Sequence, residues 1–410
     1  MPASSSRSGS SIAFQPEPAG GGVNHLILLA IFAAPVLSGL VRRAAAGGWW
    51  FSDLDAVLCG AWRVAHGSSP YAQAAACPGG EPVAYVYLPQ LAHLLSPLAR
   101  GADISGLRMV FGAAVLAAAT ALAWIMYVRP MAGASGRFRA PFLGLTSPNA
   151  IASANVACVG HLMVFGAASV RRGGAWPLML AIVVAAVLKP IMLTYLLIFA
   201  YQPERLAVRA WRIGGGLLLA AGAAALVVTS AGPDFAAWRA AIAQVALSPS
   251  QLGFGFLAWT YLLGVPPAGG TILAAYGAFA AVICLAGLVI AEAGRLDARS
   301  RVLLAMGVAQ LVNPRLMIYD MLMLAPLAVA FQATPPAASG AFRKAVFAIG
   351  LMVALLQLSG LPGLFRIEPL LFSLMLVAAA VLVARQARLE RDDASLPAAG
   401  PKAVAAPSVG

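Results

Sequence analysis

Apolar runs separated by short polar breaks recur along the whole chain, at 24–41, 106–128, 140–153, 156–170, 175–188, 191–203, 213–230, 267–291, 302–312, 321–333, 345–359 and 370–385. A helix that crosses a bilayer needs roughly 20 mostly apolar residues, so the pattern predicts about 10–12 spans in an all-α, polytopic membrane helical bundle. Several runs are short for a crossing. These predict broken or re-entrant segments, which are tolerated where protein or a wet cavity covers their backbone. Two longer stretches fall between spans, 42–105 and 231–266, both rich in aromatic residues and too apolar for free solvent. Both are expected to lie against the membrane face and roof a cavity.

Inside the first of these loops, Leu54, Val57, Leu58, Ala61, Trp62 and Ala65 recur at the spacing of one helix face. Asp55, Cys59, Arg63 and His66 take the opposite face, which predicts a short helix over 53–66 lying on the membrane surface. Ser52 followed by Asp55 has capping-box spacing, and Gly67 with Pro70 makes a stop. The cap accounts for Asp55. Asp53 is left with only a dipole benefit of about 0.3–1 kcal/mol, and is expected above Gly60, where a ligand has room to approach. A second juxtamembrane helix is predicted within YVYLPQLAHLLSPLA, 85–99, with Tyr85, Tyr87, Gln90 and His93 off its apolar side.

Composition fixes the medium: of 410 residues, 61% are hydrophobic and 10% charged, and mean hydropathy is +0.86. The net charge of +13 comes from small basic clusters between apolar runs, with no aromatic-interleaved patch, so no nucleic-acid partner is expected. The positive-inside rule explains the clusters better. With a cytoplasmic N-terminus, the inner loops hold Arg129, Arg137, Arg139, Arg171, Arg172, Arg205, Arg209, Arg212, Arg295, Arg299, Arg301, Arg343 and Lys344; Arg42 and Arg43 oppose this orientation locally. The polar composition of 1–23 and 386–410 predicts loose tails flanking a transmembrane domain over 24–385. Cys59 and Cys77 share the first outer loop, where an oxidising periplasm permits pairing. No CxxC or HExxH spacing occurs, so neither a metal site nor a cofactor is expected.

Charges interrupting the apolar sequence gather on one predicted side. Lys189 sits in VVAAVLKPIMLTYLL and is either a functional cation or a lysine snorkelling to the headgroups. Arg315, Tyr319 and Asp320 lie in NPRLMIYD, where the plain alternative is a self-satisfied Arg315–Asp320 pair. Asn155 is either a site residue or helix-packing glue. An acid beside several bases in a hydrophobic mouth suits an anionic, lipid-linked substrate whose phosphate departs. A carboxylate would take a proton from the acceptor hydroxyl while Arg and Lys hold the departing phosphate, with Asp53, Lys189 and Arg315 among the candidates and Asp55, Arg63, Tyr87, Asn155, Tyr319 and Asp320 expected to bind substrate. The competing expectation is a lipid-linked glycan transporter, which places its charges mid-membrane between repeated halves.

These residues carry a family resemblance. DLDAVLCGAWRVAHGSSPY resembles the first-loop signature of the polyprenyl-phosphate-mannose-type mannosyltransferases of glycosyltransferase family 87, which have the GT-C fold; the signature's spacing from Asp to Gly falls on Asp53 and Gly67. YVYLPQLAHLLSPLA is similar to the family's Tyr- and Pro-containing element, with Leu88 in place of its first Pro. VLKPIMLTYL and NPRLMIYDMLMLAP resemble its Lys-x-x-P and late Pro-Arg-Leu regions, so the likeness spans roughly 50 to 330.

The resemblance implies an inverting transferase of the bacterial inner membrane. It would move a sugar from a polyprenyl-monophosphate donor to a lipid or glycan acceptor on the periplasmic side, with Asp53 as base and Lys189 and Arg315 on the donor phosphate. Members that build phosphatidylinositol mannosides carry a His-containing motif where this chain has Tyr319 and Asp320, which leaves open the sugar, mannose or another hexose or pentose, and the acceptor. A topology reporter fused after Arg139 is expected to score cytoplasmic; a periplasmic score would invert the orientation.

Overall fold

The computed structural model describes residues 25–47, 50–72, 77, 83–101, 103–128, 140–143, 145, 148–170, 174–246, 248, 251–359 and 364–395. The expected N-terminal tail and the arginines 129, 137, 139, 171 and 172 lie outside the described residues.

Among the described residues every regular element is helical. The first apolar run forms α1 (His25–Ala45), and the first long loop carries α2 (Ser52–Ala65) and α3 (Pro89–Gly101). Next come α4 (Ile104–Ala123), which widens into a π-helical turn at Trp124–Val128, then α5 (Pro148–Ser153), α6 (Ala157–Ser169) and α7 (Trp176–Leu188). Pro190 redirects the chain into a 3-10 segment, Pro190–Leu196, that runs into α8 (Leu197–Tyr201). After α9 (Leu206–Ala231) the second loop holds α10 (Asp234–Ala246) and α11 (Phe256–Leu262). The chain continues through α12 (Gly270–Ala293), α13 (Ala298–Leu311), a 3-10 segment Ile318–Leu327 leading into α14 (Ala328–Gln332), α15 (Pro336–Ser359) and α16 (Glu368–Ser395).

Among the described residues, five helices are long and apolar enough to cross a membrane: Ile104–Val128, Leu206–Ala231, Gly270–Ala293, Ala338–Ser359 and Glu368–Asp392. Four shorter apolar segments accompany them, Ala157–Ser169, Trp176–Leu188, Pro190–Tyr201 and Ile318–Gln332. The chain is a helical membrane protein. Its broadly exposed apolar side chains, such as Leu217, Leu218 and Leu226 on α9, carry no solvation cost where they face lipid. The run at 140–153 gives two short pieces, Ala140–Leu143 and α5, because Pro141 and Pro148 interrupt it. At the other extreme, α16 runs to Ser395, past the boundary expected at 385. Its last turns are strong helix formers, with Gln386 donating to Glu390 at 3.1 Å.

The core wraps α13, every residue of which from Arg301 to Leu311 is buried. The Ile318–Leu327 segment, α8 and α12 pack around it. One end of this bundle is pinned by charges. Arg209 and Arg301 both pair with Glu292, at 2.7 and 2.9 Å, and donate to the carbonyls of Ala200 and Tyr201. The opposite end receives the C-termini of α7 and α13 and the N-termini of α6 and the Ile318–Leu327 segment, and there the loop helices dock.

The loop helices differ from expectation in three ways. First, α2 does not lie on the surface: it packs against α3, α4 and α5, and its predicted polar face is buried at Asp55, Cys59 and Arg63. Each of these residues has a partner, which is what makes such burial tolerable, although Arg63 Nε is left without a hydrogen bond among the described residues. Asp55 takes Nε of Arg108 at 2.8 Å and Nη2 at 3.1 Å, Arg63 donates to the Pro70 carbonyl at 3.0 Å, and Cys59 is joined to Cys77.

Second, α2 begins after Phe51, which is left-handed at φ 65°, and no side-chain cap forms. Asp55 is thus an ion-pair residue and not the expected capping partner. Third, Tyr85 and Tyr87 precede α3, which starts only at Pro89, because the residue before a proline is driven out of helical conformation. The Tyr85 ring covers Gly60 so closely that a Cβ there would lie 2.5 Å from its Cδ2, so the space expected above Gly60 is filled by protein.

Removing one partner of a buried pair leaves the other charge unmet, at a cost of about 3–5 kcal/mol. Asp55→Asn is therefore expected to lower the thermal unfolding temperature of the detergent-solubilised protein, with Arg108→Met on the same chain recovering part of the loss.

Candidate active site

Asp53 stands on the first turn of α2, and the chain on both sides of it is held in uncommon geometry. Phe51 is left-handed, its N–H donates to the Ala152 carbonyl at 2.5 Å, and Ala154 in the facing α5–α6 turn is left-handed too, at φ 47°. Left-handed backbone costs a non-glycine residue roughly 1–3 kcal/mol and persists where the surroundings dictate it. Here it aims two side chains at each other. Asn155 uses its Oδ1 to accept from the Ala157 N–H at the start of α6, 2.8 Å, and its Nδ2 to donate to Asp53 Oδ2 at 2.7 Å.

Asp53 is half-buried and, among the described residues, makes no ion pair within contact distance. Burial raises its pKa above the ordinary carboxyl value; hydrogen bonding from Asn155 and the charge of Lys189 act against the rise, and Asp320 adds to it. The carboxylate is oriented by an amide and kept free of a bound cation, which preserves its basicity.

Lys189 caps the C-terminus of α7 with extended backbone. Its Nζ lies 2.7 Å from Asp320 Oδ2 and 4.6 Å from the centre of the Tyr319 ring. The Arg315–Asp320 pair, the plain alternative for these residues, does not form among the described ion pairs. Asp320 is instead shared by Lys189 and by His161, whose Nε2 is 3.1 Å from Oδ1, while Arg315 Nε donates to the Gln251 carbonyl at 2.6 Å.

Arg315 is set by a backbone-to-backbone contact between the two loops. Phe254 N–H donates to Leu316 O at 2.7 Å and Leu257 N–H to Pro314 O at 3.0 Å. Approach this close needs Gly255, where a Cβ would lie 2.5 Å from Asn313 O, and Gly253, which is left-handed at φ 72°.

Tyr87 is buried beside Asp53, Tyr319 and Asp320, and burial among those acids drives its phenol pKa well up. It is a hydrogen-bond donor at neutral pH and not a base. Thus Asp53, Asn155, Tyr87, Lys189, Tyr319 and Asp320 converge, with Arg315 at their edge, close enough for its charge to act on Tyr319 and Asp320. Asp55 and Arg63, expected to bind substrate, do not join them. Asp55 is closed off by Arg108, and Arg63 sits one helix turn from the far end of α2, held on Pro70.

Three participants were not anticipated. His161 is buried and bonded to Asp320; Tyr195 Oη lies 2.6 Å from His161 Nδ1; Gln310 Nε2 donates to Tyr195 Oη at 2.8 Å. The one sequence signal for His161 is its being the lone basic residue in the apolar run 156–170, a feature that marks function by default. Nothing in the spacing singled out Tyr195 or Gln310. Among the described residues, no group of three His, Cys, Asp or Glu side chains is placed to hold a metal ion.

Chemically the cluster offers an unpaired base, two cations and neutral phenol and amide donors, all at one end of the bundle. No protein-family model matches the chain, and neither a curated protein nor a solved structure does.

Proposed function

We propose that the protein is an inverting glycosyltransferase that takes a sugar from a polyprenyl-monophosphate donor in the membrane. The observation that carries this reading is the separation of charge within one mouth: Asp53 held by Asn155 with no bound cation, opposite Lys189 and Arg315. In the reaction the acceptor hydroxyl attacks the anomeric carbon from the face opposite the phosphate. Its proton passes to the Asp53 carboxylate as the new C–O bond forms. The bond from the anomeric carbon to the phosphate oxygen breaks, and its electron pair leaves with polyprenyl monophosphate, whose growing charge meets Lys189 and Arg315.

The depth of the cluster favours this over transport. His161 is the fifth residue of α6, about 6 Å from the helix end at 1.5 Å per residue, and Lys189 lies at the end of α7 itself. A carrier's charges belong near the midplane, where both membrane faces reach them in turn. Under this reading the mouth faces the periplasm, the donor tail lies in lipid beside the bundle, and the acceptor is a lipid or glycan hydroxyl of the cell envelope.

Two measurements test the reading. Sugar transfer from a panel of radiolabelled polyprenyl-phosphate sugars in membranes is expected to fall by about 100-fold or more in Asp53→Asn, the scale of a lost general base. The variant should unfold at the wild-type temperature, and near-normal turnover would remove Asp53 from the base role. Because the Asp53 pKa is raised, the base form is lost at higher pH than for an ordinary carboxylate. The acid limb of kcat/KM is therefore expected above the ordinary Asp value of about 3.9, and a limb at or below it would contradict the assignment.

A further inference from the structure

The chain Gln310–Tyr195–His161–Asp320–Lys189 has a direction. Gln310 Nε2 donates to the Tyr195 oxygen, which leaves the Tyr195 proton to point at His161 Nδ1, 2.6 Å away. With Nδ1 an acceptor, the ring hydrogen of the neutral imidazole sits on Nε2 and is donated to Asp320 Oδ1. Every donor in the series thus points at Asp320. One carboxylate oxygen is fixed by this neutral train, and the other holds the Lys189 ammonium.

The two ends of the ion pair differ in freedom. The Asp320 side chain is 1% exposed and the Lys189 side chain 21%. Asp320 is anchored through His161 to Tyr195 and Gln310, whereas Lys189 hangs from the end of α7 toward the mouth. Of the two, only the cation is exposed enough for a ligand to reach.

This inference rests on the reading that Lys189 meets the donor phosphate. We propose that Asp320, oriented by His161 and Tyr195, is a competing counter-ion that holds Lys189 against a singly charged phosphate and releases it to a doubly charged one. A sugar esterified to polyprenyl phosphate is a phosphodiester with one negative charge, and the departing polyprenyl monophosphate carries up to two. Against the diester, the single charge of Asp320 balances the contest for the ammonium. As the anomeric C–O bond breaks and the electron pair moves onto the phosphate oxygen, the phosphate wins.

The Lys189 contact therefore strengthens from ground state to transition state, the condition for an interaction to raise kcat and not merely tighten binding. Asp320 also becomes a determinant of donor class. A diphosphate-linked donor brings its extra charge into the ground state, captures Lys189 on binding and loses the differential. Asp320 and His161 are positioning residues in this scheme, and Lys189 is the group that touches substrate.

The test measures binding of two probes to the full chain in lipid nanodiscs near pH 8: polyprenyl monophosphate and its methyl ester, which has one charge fewer. Wild-type protein is expected to prefer the monoester. In Asp320→Asn both probes should bind more tightly and the monoester, which alone displaces Asp320 in the wild type, should gain more, so that the preference grows by about fivefold or more, a shift of roughly 1 kcal/mol.

His161→Phe should act in the opposite sense. A carboxylate stripped of one hydrogen bond holds the ammonium harder, so the monoester, which must displace it, weakens more than the diester and the preference shrinks, while His161→Gln, which keeps an N–H donor, stays near wild type. Should Asp320→Asn not fold, the His161 pair decides alone. Equal weakening of both probes in Asp320→Asn, or in both His161 variants, overturns the inference and makes the train a scaffold. Wild-type affinity for both probes in Lys189→Ala would instead remove Lys189 from the phosphate, and the functional reading with it. Failure of the wild type to bind either probe would overturn both.

Discussion

A carboxylate enclosed by an apolar bundle is sustained only where its charge is met at close range, and Asp320 is the point at which this chain meets that condition. Lys189 supplies the opposite charge and His161 a hydrogen bond, each to its own oxygen. Because the two partners come from different segments, α6 and the end of α7, the requirement fixes those helices against the Ile318–Leu327 segment. Tyr195 and Gln310 extend the same constraint to the segment after Pro190 and to the buried stretch of α13. Without these partners the desolvation cost of the carboxylate has nothing to offset it.

The loop elements depend on close backbone approach more than on charge. Gly253 and Gly255 let the segment before α11 lie on the chain from Asn313 to Leu316, and Arg315 is held by its donation to Gln251. On the other side, Gly60 admits the Tyr85 ring onto α2. Small residues at such contacts do in this protein what they do between membrane helices generally, since they allow approach distances that any side chain would prevent. The result is a cluster whose side chains come from both loops and from the ends of several helices.

The two acids of α2 show how burial divides chemically identical groups. Both lie on its first turns, and both are shielded from water. Asp55 meets the bidentate guanidinium of Arg108 and is committed to structure, while Asp53 meets an amide and keeps its proton affinity. The difference arises from rotation about the helix axis: two positions along α2 turn the side chain from α4 toward the α5–α6 turn. Stored backbone strain at Phe51 and Ala154 accompanies the second arrangement and not the first.

The sequence alone determined the medium, the all-helical class and the gathering of interrupting charges at one end of the bundle, because apolar run length and Pro or Gly breaks are local properties that the bilayer reads directly. It also singled out Asp53, Lys189, Asn155 and Tyr319, which interrupt apolar sequence. What it misjudged was pairing. Asp55 was assigned to a cap and met Arg108; Arg315 was offered Asp320 and took a carbonyl; the polar face of α2 was turned to water and was buried. His161, Tyr195 and Gln310 were invisible as a group, lying up to 149 residues apart in the chain yet joined by three hydrogen bonds with Asp320. Only tertiary structure decides such partners, because ion pairs and hydrogen bonds depend on distances of about 3 Å between segments whose separation in sequence carries no information about their separation in space.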